Sequence, residues 1–174
     1  MERNTWLVAA AIAAASVSVL AAEEAAKDIF HGTEQARLDA LAAIQPGLGS
    51  VMTEYGNRFT NAYFAAKGGN WGLAQYQLKE MVEIQEVGET TRPNRADALK
   101  SFESNYLDPL EKTVEKKDFM AFKKGFEAAI QGCNGCHAGV GNPFVNYVLP
   151  QRPAESYLNF NVKTDPTYKE EEEQ

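Results

Sequence analysis

Two cysteines and a histidine stand close together near the end of the chain. Cys133, Cys136 and His137 form the pattern C-x-x-C-H, and these are the only two cysteines in the sequence. Two thiols at this spacing can each bond one vinyl group of the same porphyrin, and the adjacent imidazole can then ligate the iron. The motif predicts one covalent haem c on Cys133 and Cys136, with His137 as an axial ligand.

Two other interpretations of the motif are open. A C-x-x-C pair can be a redox-active dithiol, but that use belongs to βαβ proteins, and this sequence does not alternate strand and helix. A zinc site needs about four nitrogen or sulfur ligands, which the chain could complete only with carboxylates. The haem interpretation is therefore favoured.

The N-terminus has the pattern of an export signal. Arg3 precedes an apolar run from Trp6 to Leu20, and small residues follow at Ala21 and Ala22. The run suits the apolar region of a signal peptide and is short for a membrane span. We expect a signal peptide over 1–22, cleaved after Ala21 or Ala22, and a periplasmic protein. An uncleaved anchor is the alternative.

Charge limits the partners. The chain has 24 acidic and 17 basic residues, a formal net charge of −7. This balance disfavours nucleic acid and anionic lipid, and it favours either simple solubility or a redox partner protein with a basic docking surface. We expect no stable membrane insertion. No hydrolytic residue set and no Gly-rich nucleotide loop is present, so the chain is not expected to be an enzyme.

Apolar residues recur at three- and four-residue steps, which indicates helices throughout. A lead-in segment (23–47) has a helix from Thr33 to Ile44, and an irregular extension (142–174) ends in the acidic run Glu170 to Glu173. Between them, 48–141 is expected to form an all-α, antiparallel, up-and-down four-helix bundle.

Cap and breaker residues divide the bundle. The first helix should run from Leu48 to Lys67 and end at Gly68-Gly69, and the second should begin after the N-cap Asn70 and end at Gly88. Pro93 opens the third, Asp108-Pro109 should kink or interrupt it, and Asp118 caps the fourth. The motif then lies on the last turns of the fourth helix, on its buried face.

A C-x-x-C-H motif near the end of a fourth helix resembles the class II c-type cytochromes, the cytochrome c-prime and cytochrome c-556 group, over roughly Leu48 to Ala138. That resemblance implies a haem-binding helical bundle, and a homodimer is possible. Many members have a basic residue four positions after the haem histidine, where this chain has Gly141, and most end soon after the motif. The segment from Asn70 to Tyr76 also resembles, more faintly, part of a set of uncharacterised exported helical proteins.

The candidate for the second axial ligand is Met52. In an antiparallel bundle it lies one turn into the first helix, level with the motif, whereas Met81 is about 10 Å and Met120 about 25 Å away along the axis at ~1.5 Å per residue. Met52 could also be ordinary core. His31 in the lead-in segment is the competing ligand, and it could equally be a surface residue.

Three weaker expectations concern the surroundings of the haem. Arg95, at the start of the third helix, could pair with a haem propionate or remain solvated. Phe144 and Tyr147 could fold onto the haem edge, or the extension could be a loose tail.

Three functions remain open. With His137 and Met52 as ligands the protein would be a periplasmic electron carrier. With Met52 in the core, the iron would be five-coordinate and would bind nitric oxide or carbon monoxide. The third possibility is a haem subunit of a larger oxidoreductase complex, docked through the extension.

Overall fold

The computed structural model describes residues 28–166, and the segment predicted as a signal peptide and the acidic run from Glu170 to Glu173 lie outside that range. The chain divides into two units, Met1–Gln45 and Pro46–Gln174. Regular structure within 28–166 is helical, with a single isolated bridge between Asn70 and Thr164. The all-α prediction is confirmed. No helix in this part of the chain is long and apolar enough to cross a membrane.

The first unit contributes one described helix, α1, from Glu34 to Ala43. The side chain of Thr33 caps it by accepting a hydrogen bond from the Ala36 N–H at 3.2 Å. The prediction of a helix here is confirmed to within one residue at each end. Its apolar residues Leu38 and Leu41 are exposed, and so is Ile44 at its C-cap.

The second unit begins with a helical hairpin. Helix α2 (Leu48–Gly68) and helix α3 (Trp71–Thr91) are joined by Gly69 and Asn70. Gly69 has φ 78°, the left-handed conformation that ends a helix, and the Asn70 side chain accepts a hydrogen bond from the Leu73 N–H at 3.2 Å. Both predicted caps are confirmed.

The rest of the unit is more broken. A 3-10 turn (Pro93–Arg95) leads into α4 (Ala96–Phe102), a π-helical turn (Glu103–Leu107) and α5 (Asp108–Glu115), and α6 (Phe119–Gly139) follows. The side chain of Asp118 caps α6 through the Ala121 N–H at 3.0 Å, as predicted. Helix α5 packs on α3 and α6, and α2 packs on both α3 and α6.

Apolar residues that recur at three- and four-residue steps along the helices form the core. Phe59 of α2 stacks on Phe126 of α6 with ring centroids 3.8 Å apart. The largest other apolar side chains that are completely or almost completely buried are those of Phe122, Met81, Leu110, Val51 and Val114.

The helix interruption predicted at Asp108-Pro109 is present, as the π-helical turn directly before Asp108. Pro109 has no N–H, so it cannot donate to the carbonyl of Asn105. The helix instead takes up one extra residue in this turn, and the Asp108 N–H donates to the carbonyl of Glu103, five residues earlier, as in a π-helix.

The prediction that α3 ends at Gly88 is wrong, because the helix continues to Thr91. A Cβ on Gly88 would lie 3.1 Å from Val51 Cγ1 and 3.2 Å from Leu48 Cδ1. The glycine therefore serves close packing between α2 and α3 and does not terminate the helix.

The C-terminal extension is irregular, as predicted, and its described part folds against α2 and α3. The buried Asn61 accepts hydrogen bonds from the backbone N–H groups of Ala154 (3.1 Å) and Glu155 (3.3 Å). At the hairpin, Asn70 Nδ2 donates to the Asn159 carbonyl at 3.0 Å, and the Gly72 N–H donates to Thr164 Oγ1 at 2.9 Å. The segment from Asn70 to Tyr76 thus includes part of a docking site for the extension.

Gly68 is where the extension approaches the hairpin most closely, since a Cβ there would overlap the carbonyl group of Phe160. We expect Gly68→Ala to displace the extension and lower the free energy of unfolding by about 1–3 kcal/mol, measured by urea denaturation. Gly49→Ala, in the same helix, is the control, because nothing lies within 4 Å of that Cβ. Equal stability of the two variants would contradict the described docking.

Candidate functional site

A cavity of about 490 Å³ lies where the start of α2, the 3-10 turn with α4, the end of α6 and the extension meet. This volume is within the range of about 300–1,000 Å³ found for cofactor and small-molecule sites. The walls are mostly apolar, and they include Leu48, Met52, Tyr55, Phe59, Leu99, Phe102, Cys133, Cys136, His137, Val140, Val145 and Tyr147.

Both thiols line this cavity, Cys133 half-buried and Cys136 exposed, and neither is in a disulfide. A three-residue spacing places them on one face of α6, since a helix has 3.6 residues per turn. Burial, and secondarily the charge of Cys136, raises the pKa of the Cys133 thiol to about 12. Redox-active C-x-x-C pairs have the opposite shift, so this thiol is poorly suited to disulfide exchange.

His137 is oriented by the extension. Its Nδ1 lies 2.7 Å from the backbone carbonyl oxygen of Val145. Because a carbonyl can only accept, Nδ1 carries the proton, and Nε2 of the neutral ring keeps its lone pair for a metal. Such a bond to the other ring nitrogen is the usual support of a metal-ligating histidine.

A tight reversal after α6 brings Val145 back to the histidine. Gly141 has φ 86°, and its N–H donates to the Ala138 carbonyl at 3.1 Å, while the Asn142 N–H donates to the His137 carbonyl at 2.8 Å. This pair of bonds is the Schellman motif, in which a residue in the left-handed conformation follows the helix. Gly141 therefore occupies a position that other residues adopt only with strain.

Asn134, between the two cysteines, holds the returning chain. Its Oδ1 accepts a hydrogen bond from the Tyr147 N–H at 2.7 Å, and its Nδ2 donates to the Tyr147 carbonyl at 2.9 Å. The Tyr147 hydroxyl is hydrogen-bonded to Thr60 Oγ1 at 2.6 Å, and its ring centroid lies 5.6 Å from that of Phe59. The extension thus closes one wall of the cavity.

The structure separates the three methionines among residues 28–166. Met52 is half-buried and lines the cavity, whereas Met81 is buried in the core and Met120 is exposed at the start of α6. The competing ligand His31 belongs to the first unit, where its Nδ1 lies 2.8 Å from Asp28 Oδ2.

The weaker expectations have different outcomes. Arg95 lines the cavity, and within residues 28–166 its guanidinium has no ion-pair partner. Tyr147 folds onto the site, so the loose-tail alternative is wrong for this segment. Phe144 is 80% exposed and does not line the cavity.

A series of hydrogen-bonded polar side chains begins at Tyr55 in the cavity wall and leads away from the cavity. The Tyr55 hydroxyl donates to Gln85 Oε1 at 3.2 Å, and Gln85 Nε2 donates to Glu103 at 2.6 Å and to Glu89 at 2.9 Å. Burial, followed by the charge of Asp108, raises the pKa of Glu103, although its bond from Gln85 acts in the opposite direction. In the sequence, Tyr55 and Gln85 fall at the helical spacing of the apolar residues around them, and nothing there indicates this pairing.

The residues that sequence reasoning missed are Asn134 and Val145. Asn134 occupies a variable position of the motif, and Val145 acts only through its carbonyl. The one available signal was Gly141 with Asn142 after the motif, a pair typical of a helix end followed by a chain reversal.

In the described part of the chain, no group of three or more His, Cys, Asp and Glu side chains is arranged to hold a metal ion. A haem iron requires only axial ligands from the protein. No family model, curated protein or solved structure matches this chain.

Gly141 allows a direct test of the reversal. We expect Gly141→Lys, which supplies the basic residue typical of class II cytochromes at this position, to lower the free energy of unfolding by about 1–2 kcal/mol, because a side chain is strained at φ 86°. Gly139→Lys is the control, since that glycine is helical with open space around it. Chemical denaturation of both variants measures the difference, and a neutral Gly141→Lys would contradict the left-handed turn.

Proposed function

We propose that the protein is a periplasmic monohaem cytochrome of the class II c type, which transfers electrons and has no catalytic residues of its own. The observation that carries the proposal is that one apolar cavity is lined by both thiols, by His137 and by Met52. No other methionine among residues 28–166 lines that cavity.

The residues present fit a covalent haem. Cys133 and Cys136 would hold it through thioether bonds, and Nε2 of His137 is the nitrogen left available for the iron. Arg95 provides a cation at the cavity for a propionate. The bound haem would supply a one-electron couple between ferric and ferrous iron.

The ligand set favours electron transfer. If Met52 completes the axial pair, no coordination position is open to a substrate, and the thioether raises the reduction potential. The walls are mostly apolar, and an apolar surrounding also favours the less charged ferrous state.

The arrangement of the second unit supports the class II assignment. We infer an antiparallel four-helix bundle in which α2 and α3 are the first two helices, α4 and α5 together form the interrupted third, and α6 is the fourth. The motif occupies the last turns of α6. The net charge of −7 suits a redox partner with a basic docking surface.

A five-coordinate haem that binds nitric oxide or carbon monoxide is the second candidate. The observation that favours it is the packing of Met52 against the hydrophobic core, as expected of a structural methionine. The spin state of the ferric iron distinguishes the two functions.

Covalent attachment is tested on protein purified from a host that matures c-type cytochromes. We expect the haem to survive acid–acetone extraction and to give a c-type pyridine haemochrome spectrum, because both thiols are bonded to it. Cys133→Ala with Cys136→Ala should abolish that signal. Haem that extracts freely from the wild-type protein would contradict the proposal.

Met52 is tested by its spin state. We expect a low-spin ferric protein, and we expect Met52→Ala to convert it to a high-spin form that binds carbon monoxide when reduced. Met120→Ala is the control, because Met120 is 73% exposed and away from the cavity. A wild-type protein that is already high-spin would favour gas binding, and a low-spin spectrum that survives Met52→Ala but not His31→Ala would assign the ligand to His31.

A further inference from the structure

Asn134 has an unusual position for a residue whose side chain makes two partly buried hydrogen bonds. It is one of the two variable residues of the C-x-x-C-H motif, where haem attachment itself requires no particular side chain. Its side-chain amide nevertheless pairs with both backbone groups of Tyr147, at 2.7 Å and 2.9 Å. This reciprocal pair fixes both the place and the direction of the returning chain.

The pair acts on the histidine through a short stretch of backbone. We call the two hydrogen bonds between Asn134 and Tyr147 the clamp. Tyr147 is two residues beyond Val145, so at most about 7 Å of extended chain separates the clamp from the carbonyl that faces His137. The other end of this stretch is fixed by the turn at Gly141, and the Val145 N–H donates to the Asn142 carbonyl at 3.0 Å. The Val145 carbonyl is therefore held between two fixed points.

The bond from His137 Nδ1 to that carbonyl has an electronic consequence. A carbonyl that attracts the Nδ1 proton makes the ring a stronger donor at Nε2. Stronger donation stabilises ferric iron more than ferrous iron, because the ferric ion carries the larger charge. A loosened carbonyl would accordingly raise the reduction potential.

Resting on the proposed function, we propose that Asn134 is a positioning residue for the iron ligand: through Tyr147 it holds the Val145 carbonyl against His137 and thereby sets the reduction potential. The side chain must both donate and accept, which an amide can do and a carboxylate or an aliphatic group cannot. Glutamine has both groups but is one methylene longer, so it would hold the chain in a shifted position.

The experiment compares three variants of the holoprotein by spectroelectrochemical titration. Asn134→Leu keeps the branched shape and the number of side-chain heavy atoms and removes both bonds, and Asn134→Gln keeps the amide. Thr60→Val is the matched control, because Thr60 does not line the cavity and its replacement removes the hydroxyl bond to Tyr147 but leaves the backbone pair with Asn134 intact.

We expect Asn134→Leu to raise the midpoint potential. A tenfold loss in the preference of the site for ferric iron corresponds to about 59 mV. Asn134→Gln should give a smaller rise, and Thr60→Val should keep the wild-type potential although it lowers stability. An unchanged potential in Asn134→Leu, or an equal shift in Thr60→Val, would overturn the proposal.

Two further measurements separate this proposal from the haem assignment. A pyridine haemochrome on every variant shows whether haem is covalently bound; its absence from the wild-type protein would overturn the proposed function itself. Amide hydrogen exchange of the wild-type protein tests the clamp even if a variant fails to accumulate. The Tyr147 amide should exchange more slowly than that of its neighbour Asn146, and equal exchange of the two would overturn the positioning role.

Discussion

The hydrogen bond between His137 Nδ1 and the Val145 carbonyl is the constraint on which the site depends. It joins the helix that carries the motif to a segment that begins only after that helix has ended. The chain must reverse between the two residues, which requires the left-handed turn at Gly141. It must also be held after the reversal, which the amide of Asn134 does. Asn134, Gly141 and Val145, which look unrelated in the sequence, thus all support this one hydrogen bond of His137.

This constraint accounts for both differences between the chain and the class II cytochromes that its motif resembles. A basic residue four positions after the histidine would occupy the position of Gly141, where a side chain is strained. The longer chain after the motif supplies the carbonyl for His137 and, with Tyr147, a wall of the cavity. The extension continues to the α2–α3 hairpin, where Asn61, Asn70 and Gly72 bind it. Gly141 and the extension therefore act together: the glycine permits the chain reversal, and the extension supplies the carbonyl that contacts His137.

The local features could be predicted from the sequence, because caps and helix periodicity depend on residues within a few positions of one another. Asn70, Asp118 and Gly69 act as expected, and Phe59 of α2 and Phe126 of α6 lie in the core as apolar residues at helical spacing should. Long-range pairings could not be predicted. Gly88 has the sequence appearance of a helix end, and only its contact with α2 shows that it permits close packing. Asn61 interrupts an apolar region without indicating that its partner lies more than ninety residues later.

The same distinction applies to the site. The spacing of Cys133, Cys136 and His137 brings these residues together by helix geometry alone, whereas Met52 reaches the cavity only because α2 packs against α6. Packing of Phe59 on Phe126 fixes that contact about two helical turns from Met52. The histidine is thus supported by an irregular segment that hydrogen bonds hold in place, and the methionine by a helix that the core holds. Substitutions in the extension should therefore act on the electronic properties of His137, and substitutions in the core on whether Met52 remains at the cavity.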